Sequence, residues 1–203
     1  MSQLSQFPPR LATKGRIRGA ALRELLLWFE TQSASETLDE VVEGIADAYP
    51  DAFQPGLPAF GVLSSKWYDA VAIHTLLDLL QTASRNPRFA EEGGRAVMSK
   101  TLSGVFRAMT RFLLTPERYV NHAHRLWGHY YDTGEFEIRM TGDSSTRTTI
   151  RQWNSHHPIL CDMNVAAASV IYATIGCDDV KVTRVKCVGQ GSGTCEYEVT
   201  WSP

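Results

Sequence analysis

The chain has 203 residues, a formal charge of −2 and 43% hydrophobic residues, enough for one core of ordinary size. Near neutrality excludes a surface built mainly to neutralise nucleic-acid phosphates, and the longest apolar run, around residues 165–171, falls far short of the roughly 20 residues that cross a bilayer. No apolar stretch with a small-residue cleavage site opens the chain, so the expected compartment is the cytoplasm, where four cysteines serve as thiols or metal ligands rather than as disulfides.

Residues 1–13, with Pro8 and Pro9 and no hydrophobic period, read as a flexible leader. Residues 14–203 read as a single ligand-binding-like domain, helical over 14–132 and hairpin, helix, hairpin over 133–203. From Gly15, the spacing of Ile17, Ala20, Ala21, Leu25, Trp28 and Phe29 predicts an amphipathic helix. A second helix opens at Ser35, carries Leu38, Val41, Val42 and Ile45, and stops before Pro50. A proline-rich loop over residues 50–61 leads to a third helix, expected from Ser64 or Ser65 to about Arg85 and burying Trp67, Val71, His74 or Ile73, Leu77 and Leu80. Asn86-Pro87 punctuates the chain. A fourth helix is expected between Phe89 and Leu114, and Thr115-Pro116-Glu117 caps a fifth that carries Tyr119, Val120, Ala123, Leu126, Trp127 and Tyr130.

At Asp132-Thr133-Gly134 the period falls from 3.6 to 2. Phe136, Ile138 and Met140 alternate with charged residues, a turn follows at residues 142–145, and residues 146–153 alternate again, which predicts a hairpin. His157-Pro158 opens a sixth helix that Gly176 closes. Two strands, Val180–Val188 and Thr194–Trp201, end the chain across a glycine-rich turn. Five helices, a hairpin, a helix and a second hairpin imply an α+β fold with helices packed on one face of a four-stranded antiparallel sheet.

Candidate chemistry concentrates late in the chain. Cys187 and Cys195 flank the last turn, so the hairpin can bring them to one side, with Cys161 approaching from the sixth helix. Zinc suits such thiolates; Cys177, His156, His157 and Asp178 are available as the remaining ligand, and the alternative is that the cysteines pack as small apolar side chains. Trp67, His74, Phe106, Met109, Trp127, Tyr130, Met163 and Tyr172 are the candidates for a ligand pocket, although core packing also accounts for them. Ala166, Ala167 and Ala168 leave room either for close backbone packing or for a small apolar guest. No nucleophile elbow, P-loop, dinucleotide fingerprint or HExxH is present, so an enzyme is not the expectation.

The run VKCVGQGSGTCEYEVTW resembles the end of the 4-vinyl reductase domain, whose relatives include the sensing domains of aromatic-hydrocarbon regulators, haem nitric-oxide-binding domains and TRAPP tethering subunits. The segments KGRIRGAALRELLLWF, SSKWYDAVAIHTLL and LLTPERYVNHAHRLWGHYYDTGEFEI also resemble a myxobacterial protein family of about this length, so the likeness spans nearly the whole chain. It implies a 4-vinyl-reductase-like fold, pairing of two copies through the first helices, and a structural zinc on Cys161, Cys187 and Cys195. The relatives' remaining ligand, a glutamate, is replaced here by Arg184, which leaves Cys177 or a water for the fourth position. The family's proximal-histidine and propionate-clamp motifs have no counterpart, which speaks against haem. The function expected is a sensor or adaptor that holds a small apolar or aromatic molecule between helices and sheet and signals through a homodimer or a protein partner. The alternatives are a tethering subunit with a filled core and, after it, a tetrapyrrole-related reductase or haem-based gas sensor.

Overall fold

The computed structural model describes residues 15–33, 35–103 and 115–202, so the expected leader over 1–13 lies outside the described residues. The elements run β1 (Arg16–Arg18), α1 (Gly19–Gln32), α2 (Ser35–Ala46), β2 (Trp67–Asp69), α3 (Ala70–Ser84), α4 (Phe89–Ser103), α5 (Pro116–Trp127), β3 (Glu135–Gly142), β4 (Ser145–Arg151), α6 (Pro158–Thr174), β5 (Asp178–Lys186) and β6 (Cys195–Ser202). β3 to β6 form an antiparallel sheet in the order β3-β4-β6-β5, the four-stranded sheet that the alternation and turn residues predict.

Local chemistry sets most element ends. Thr115 accepts a hydrogen bond from the Arg118 N–H and Pro116 occupies the first turn of α5, because proline has no N–H to leave unpaired there. Gly176 turns the chain out of α6 at φ 94°, a backbone region that favours glycine. One pairing departs from expectation: the first helix does not begin at Gly15, nor the third at Ser64 or Ser65. Trp67–Asp69 instead pair with Arg16–Arg18 as a two-stranded ribbon, and Asp69 caps α3 by accepting from the Val71 N–H. Distant partners hold the ribbon extended. Arg16 binds Asp132 through its backbone N–H and its guanidinium, the Arg18 N–H donates to the Tyr130 carbonyl, and both guanidinium groups lie over the Trp67 ring.

The sheet is two-faced. Ile138, Thr146, Thr148, Ile150, Tyr197 and Val199 are buried on one side, while the other carries ion pairs such as Arg151–Glu137 and Arg147–Glu198. α6 is packed against that sheet and against α4. Its contact with α4 is made by backbone: a Cβ at Gly94 would lie 2.6 Å from the Met163 carbonyl oxygen and 2.7 Å from its Cα. Register shifts interrupt both outer strands, at Met140/Gly142 in β3 and at Asp178/Lys181 and Arg184/Lys186 in β5. No helix among the described residues is long and apolar enough to cross a membrane.

One buried polar pair ties α6 to the sheet. The hydroxyls of Thr146 and Tyr172 lie 2.7 Å apart, both residues are almost wholly buried, and burial pushes the Tyr172 phenol up to about 12. Tyr172→Phe leaves the Thr146 hydroxyl buried without that partner, and the expected cost is about 1–3 kcal/mol. A thermal melt reads this as a drop of roughly 2–4 °C per kcal/mol for a domain of this size. An unchanged melting temperature would show that the pair contributes nothing.

Candidate functional site

Two features stand next to each other on α6. The first is a cavity of about 150 Å³ where helices meet the sheet. Its wall includes Leu22 and Leu25 of α1, Val97 and Met98 of α4, Tyr119, Ala123 and Trp127 of α5, and Leu160, Met163 and Ala167 of α6, with Phe136 and Tyr197 contributed by the sheet. Ala123, Ala167 and Ala168, all in the lining, add little side-chain volume to it. Trp127 is fixed edge and face: its indole N–H donates to the Thr133 carbonyl at 3.0 Å and its ring stacks on Phe136 at 5.1 Å.

The lining is electrically neutral among the described residues. It holds no lysine, arginine, histidine, aspartate or glutamate, and burial raises the phenols of Tyr119, Tyr130, Tyr131 and Tyr197 above their ordinary value. Each therefore keeps its proton and its O–H at physiological pH. A polar point is built where the Asn164 side-chain amide donates to the Tyr131 oxygen at 3.2 Å and to the Leu160 carbonyl at 2.8 Å.

Trp127, Tyr130 and Met163, expected to face a ligand, all line the cavity. Tyr172 stands one layer behind, edge-on to Tyr119 at 5.5 Å. His74 is buried elsewhere, its Nε2 paired with the Ser155 carbonyl oxygen and its ring 4.8 Å from that of His157. Trp67 lies on the β1–β2 ribbon beneath the two arginines. Phe106 and Met109 lie outside the described residues. Tyr119, Tyr131, Met98 and Asn164 were not singled out for the pocket; the helical spacing that places Tyr119 and Ala123 on one face of α5 is the signal that could have found two lining positions.

The second feature is a cluster of His156, Cys161, Cys187 and Cys195, whose donor atoms all lie within 4.8 Å of one another. Cys161 comes from the first turn of α6, and Cys187 follows β5. The turn after Cys187 curls so that the Val188 N–H points at the Cys195 sulfur at 3.4 Å while the Gln190 and Ser192 N–H groups return to the Cys187 carbonyl. His156 is set by packing edge-on to Trp153 at 5.1 Å. Cys161 Sγ and Cys187 Sγ are 3.8 Å apart, and His156 Nε2 lies 3.5 Å from Cys187 Sγ. In a tetrahedral zinc site, with bonds near 2.3 Å to sulfur and near 2.0–2.1 Å to nitrogen, two thiolates stand about 3.8 Å apart and a thiolate and an imidazole nitrogen about 3.5 Å apart. The donor set has the chemistry such an ion takes, and these two distances match its spacing.

The sulfurs interact electrostatically with one another. The hydrogen bond from Cys161 holds the Cys195 thiol below its ordinary value against the opposing effect of burial, with His156 and the Val188 N–H adding to it, and the same bond pushes Cys161 up. Arg184, which stands where the resembling family has its glutamate, is no ligand; it pairs with Asp162 and reaches Cys161, so it supplies positive charge beside the sulfurs. Cys177 takes no part in the cluster. It lies just past the other end of α6, and at about 1.5 Å per residue the helix from Cys161 to Thr174 alone spans roughly 20 Å. His156 stands in the place expected for Cys177.

No family model matches the chain, and no curated protein matches it. Solved structures do. An Fe(II) unliganded H-NOX protein from K. algicida is 12% identical with a TM-score of 0.68, over 92% of this chain and 97% of that one. An S. oneidensis H-NOX protein in the Fe(II)NO ligation state is 10% identical with a TM-score of 0.66, over 92% and 99%. A T. tengcongensis H-NOX mutant is 9% identical with a TM-score of 0.64, over 92% and 98%. Another structure that matches was determined to probe heme distortion in the H-NOX family. The expectation against haem is thereby corrected: it rested on missing motifs, whereas the structures that share this fold include Fe(II) H-NOX proteins and one determined to probe heme distortion. At these identities the likeness establishes that the chain has the fold of H-NOX proteins.

Proposed function

We propose that this chain is a ligand-sensing module whose sensing site is the buried pocket between the helices and the sheet. The observation that carries the reading is the cavity itself, walled by helices and by strands of the sheet and lined by neutral aromatic and aliphatic groups. Occupation of such a space changes the balance between arrangements of its walls, which a protein partner or a second subunit can read.

Haem is the first candidate occupant, because the proteins of this fold reported above are H-NOX proteins. Haem iron takes imidazole, thiolate, thioether or phenolate from proteins. Of these, the described lining offers the thioethers of Met98 and Met163 and the phenols of Tyr119, Tyr130, Tyr131 and Tyr197. When bound, haem would supply an iron centre able to take a diatomic gas, as in the Fe(II)NO state of the S. oneidensis protein. The chain's own part would be an apolar surround that excludes water, with O–H groups as its polar contacts. Titration of the purified protein with ferric haemin tests this. The expected result is a saturable one-to-one shift of the Soret band whose spectrum has thioether or phenolate rather than imidazole character and changes on Met163→Leu or Tyr119→Phe. A spectrum identical to that of free haemin at every ratio would reject it.

A second reading is favoured by the cavity's size. An apolar cavity of about 150 Å³ matches a benzene-sized guest, so a small apolar or aromatic molecule is the occupant if haemin leaves the protein unchanged. The cluster of His156, Cys161, Cys187 and Cys195 completes the proposal as a structural zinc site, its four ligands leaving no open position for catalysis. Four cysteines kept as thiols fit the cytoplasm.

A further inference from the structure

The zinc cluster and the pocket share their walls. Cys161 stands next to Leu160 and two residues before Met163, both of which line the pocket, and Cys195 stands two residues before Tyr197, which lines it as well. An ion held by these sulfurs would therefore join the pocket's helical wall to its sheet wall. The connection continues beyond α6. Met163 presses its backbone on Gly94 of α4 with no side chain between them, and α4 contributes Val97, Met98, Thr101 and Leu102 to the far wall. Backbone in contact with backbone has no flexible side chain to absorb a displacement, so α4 follows α6.

We propose that the His156, Cys161, Cys187 and Cys195 cluster is a latch on the pocket: metal held there fixes α6 against the β5–β6 turn and, through the Gly94–Met163 contact, holds α4 and the pocket in one ordered arrangement. This rests on the zinc and pocket readings above. Metal loading removes conformational freedom from the walls before a guest arrives, so a later guest has less to order. Linkage makes the effect mutual: a guest that prefers the ordered walls tightens the metal by the same factor.

The experiment is amide hydrogen exchange of the full chain, zinc-loaded against chelator-treated, with metal content measured on both samples. The expected result is at least tenfold slower exchange in the zinc-loaded sample at residues 94–102 of α4 and 163–171 of α6, beside the slowing at the ligands themselves, while α2 keeps its rate. Slowing confined to residues 156–163 and 187–196 overturns the latch and leaves the zinc site standing. Equal slowing of α2 and α4 also overturns it, since that marks stabilisation of the whole chain. A chain that takes up no zinc overturns the latch together with the metal reading, and the metal content tells this case from the others.

Discussion

Gly94→Val is expected to lower stability by about 3 kcal/mol, near the upper end of what overpacking a well-filled interior costs. The new side chain would meet the Met163 carbonyl and Cα within 2.7 Å, and neither can swing aside as the tip of a long side chain can. α6 would have to move away from α4, opening the pocket that both helices wall. For a domain of this size the loss corresponds to roughly 6–12 °C in melting temperature. Gly44→Ala is the control: in α2, with nothing within 4 Å of its added Cβ, it should stabilise by about 0.5–1 kcal/mol through helix propensity alone. Equal effects at the two glycines would show that the α4–α6 contact is not tight.

Removal of zinc is expected to be larger still. An ion bound only by the folded chain and present at a thousand times its dissociation constant contributes about 4 kcal/mol, so a chelator should lower the melting temperature by roughly 8–16 °C. The preparation should contain one zinc per chain. Cys187→Ser and the milder His156→Asn should both lose it, while Cys177→Ser, outside the cluster, should keep it. A metal-free protein whose melting curve ignores the chelator would remove the site from consideration, and stoichiometric zinc lost in Cys177→Ser would mean the ligands are others.

What the sequence made legible was what neighbours in the chain decide. The β3–β4 hairpin, the Thr115-Pro116 start of α5 and the Gly176 end of α6 each depend on a few adjacent residues. The β1–β2 ribbon was misread as helix because Trp67 and Arg18 meet across the fold, and no window around either holds the other. The side-chain cluster was legible in three of its cysteines but not in its last member: spacing cannot tell that α6 carries Cys177 away from Cys161, or that the residue before the N-cap, His156, stands beside Cys187. Haem was set aside on absent motifs, and a fold retained at about a tenth identity shows how little such an absence decides. The pocket was half legible: aromatic residues at helical spacing identify a buried face, but only the assembled helices separate Trp127, in the wall, from Tyr172, one layer behind.

The register shifts at both outer strands have a consequence for assembly. Among the described residues β3 and β5 border the sheet, and an open border with regular pairing groups invites another strand to add to it. Here each border is broken by local irregularity, which bends and twists the strand away from the flat geometry an incoming chain requires. Along β5, Arg184 and Lys186 are engaged in ion pairs with Asp162 and Glu196. These irregularities disfavour growth of this protein into a continuous ribbon of strands through β3 or β5.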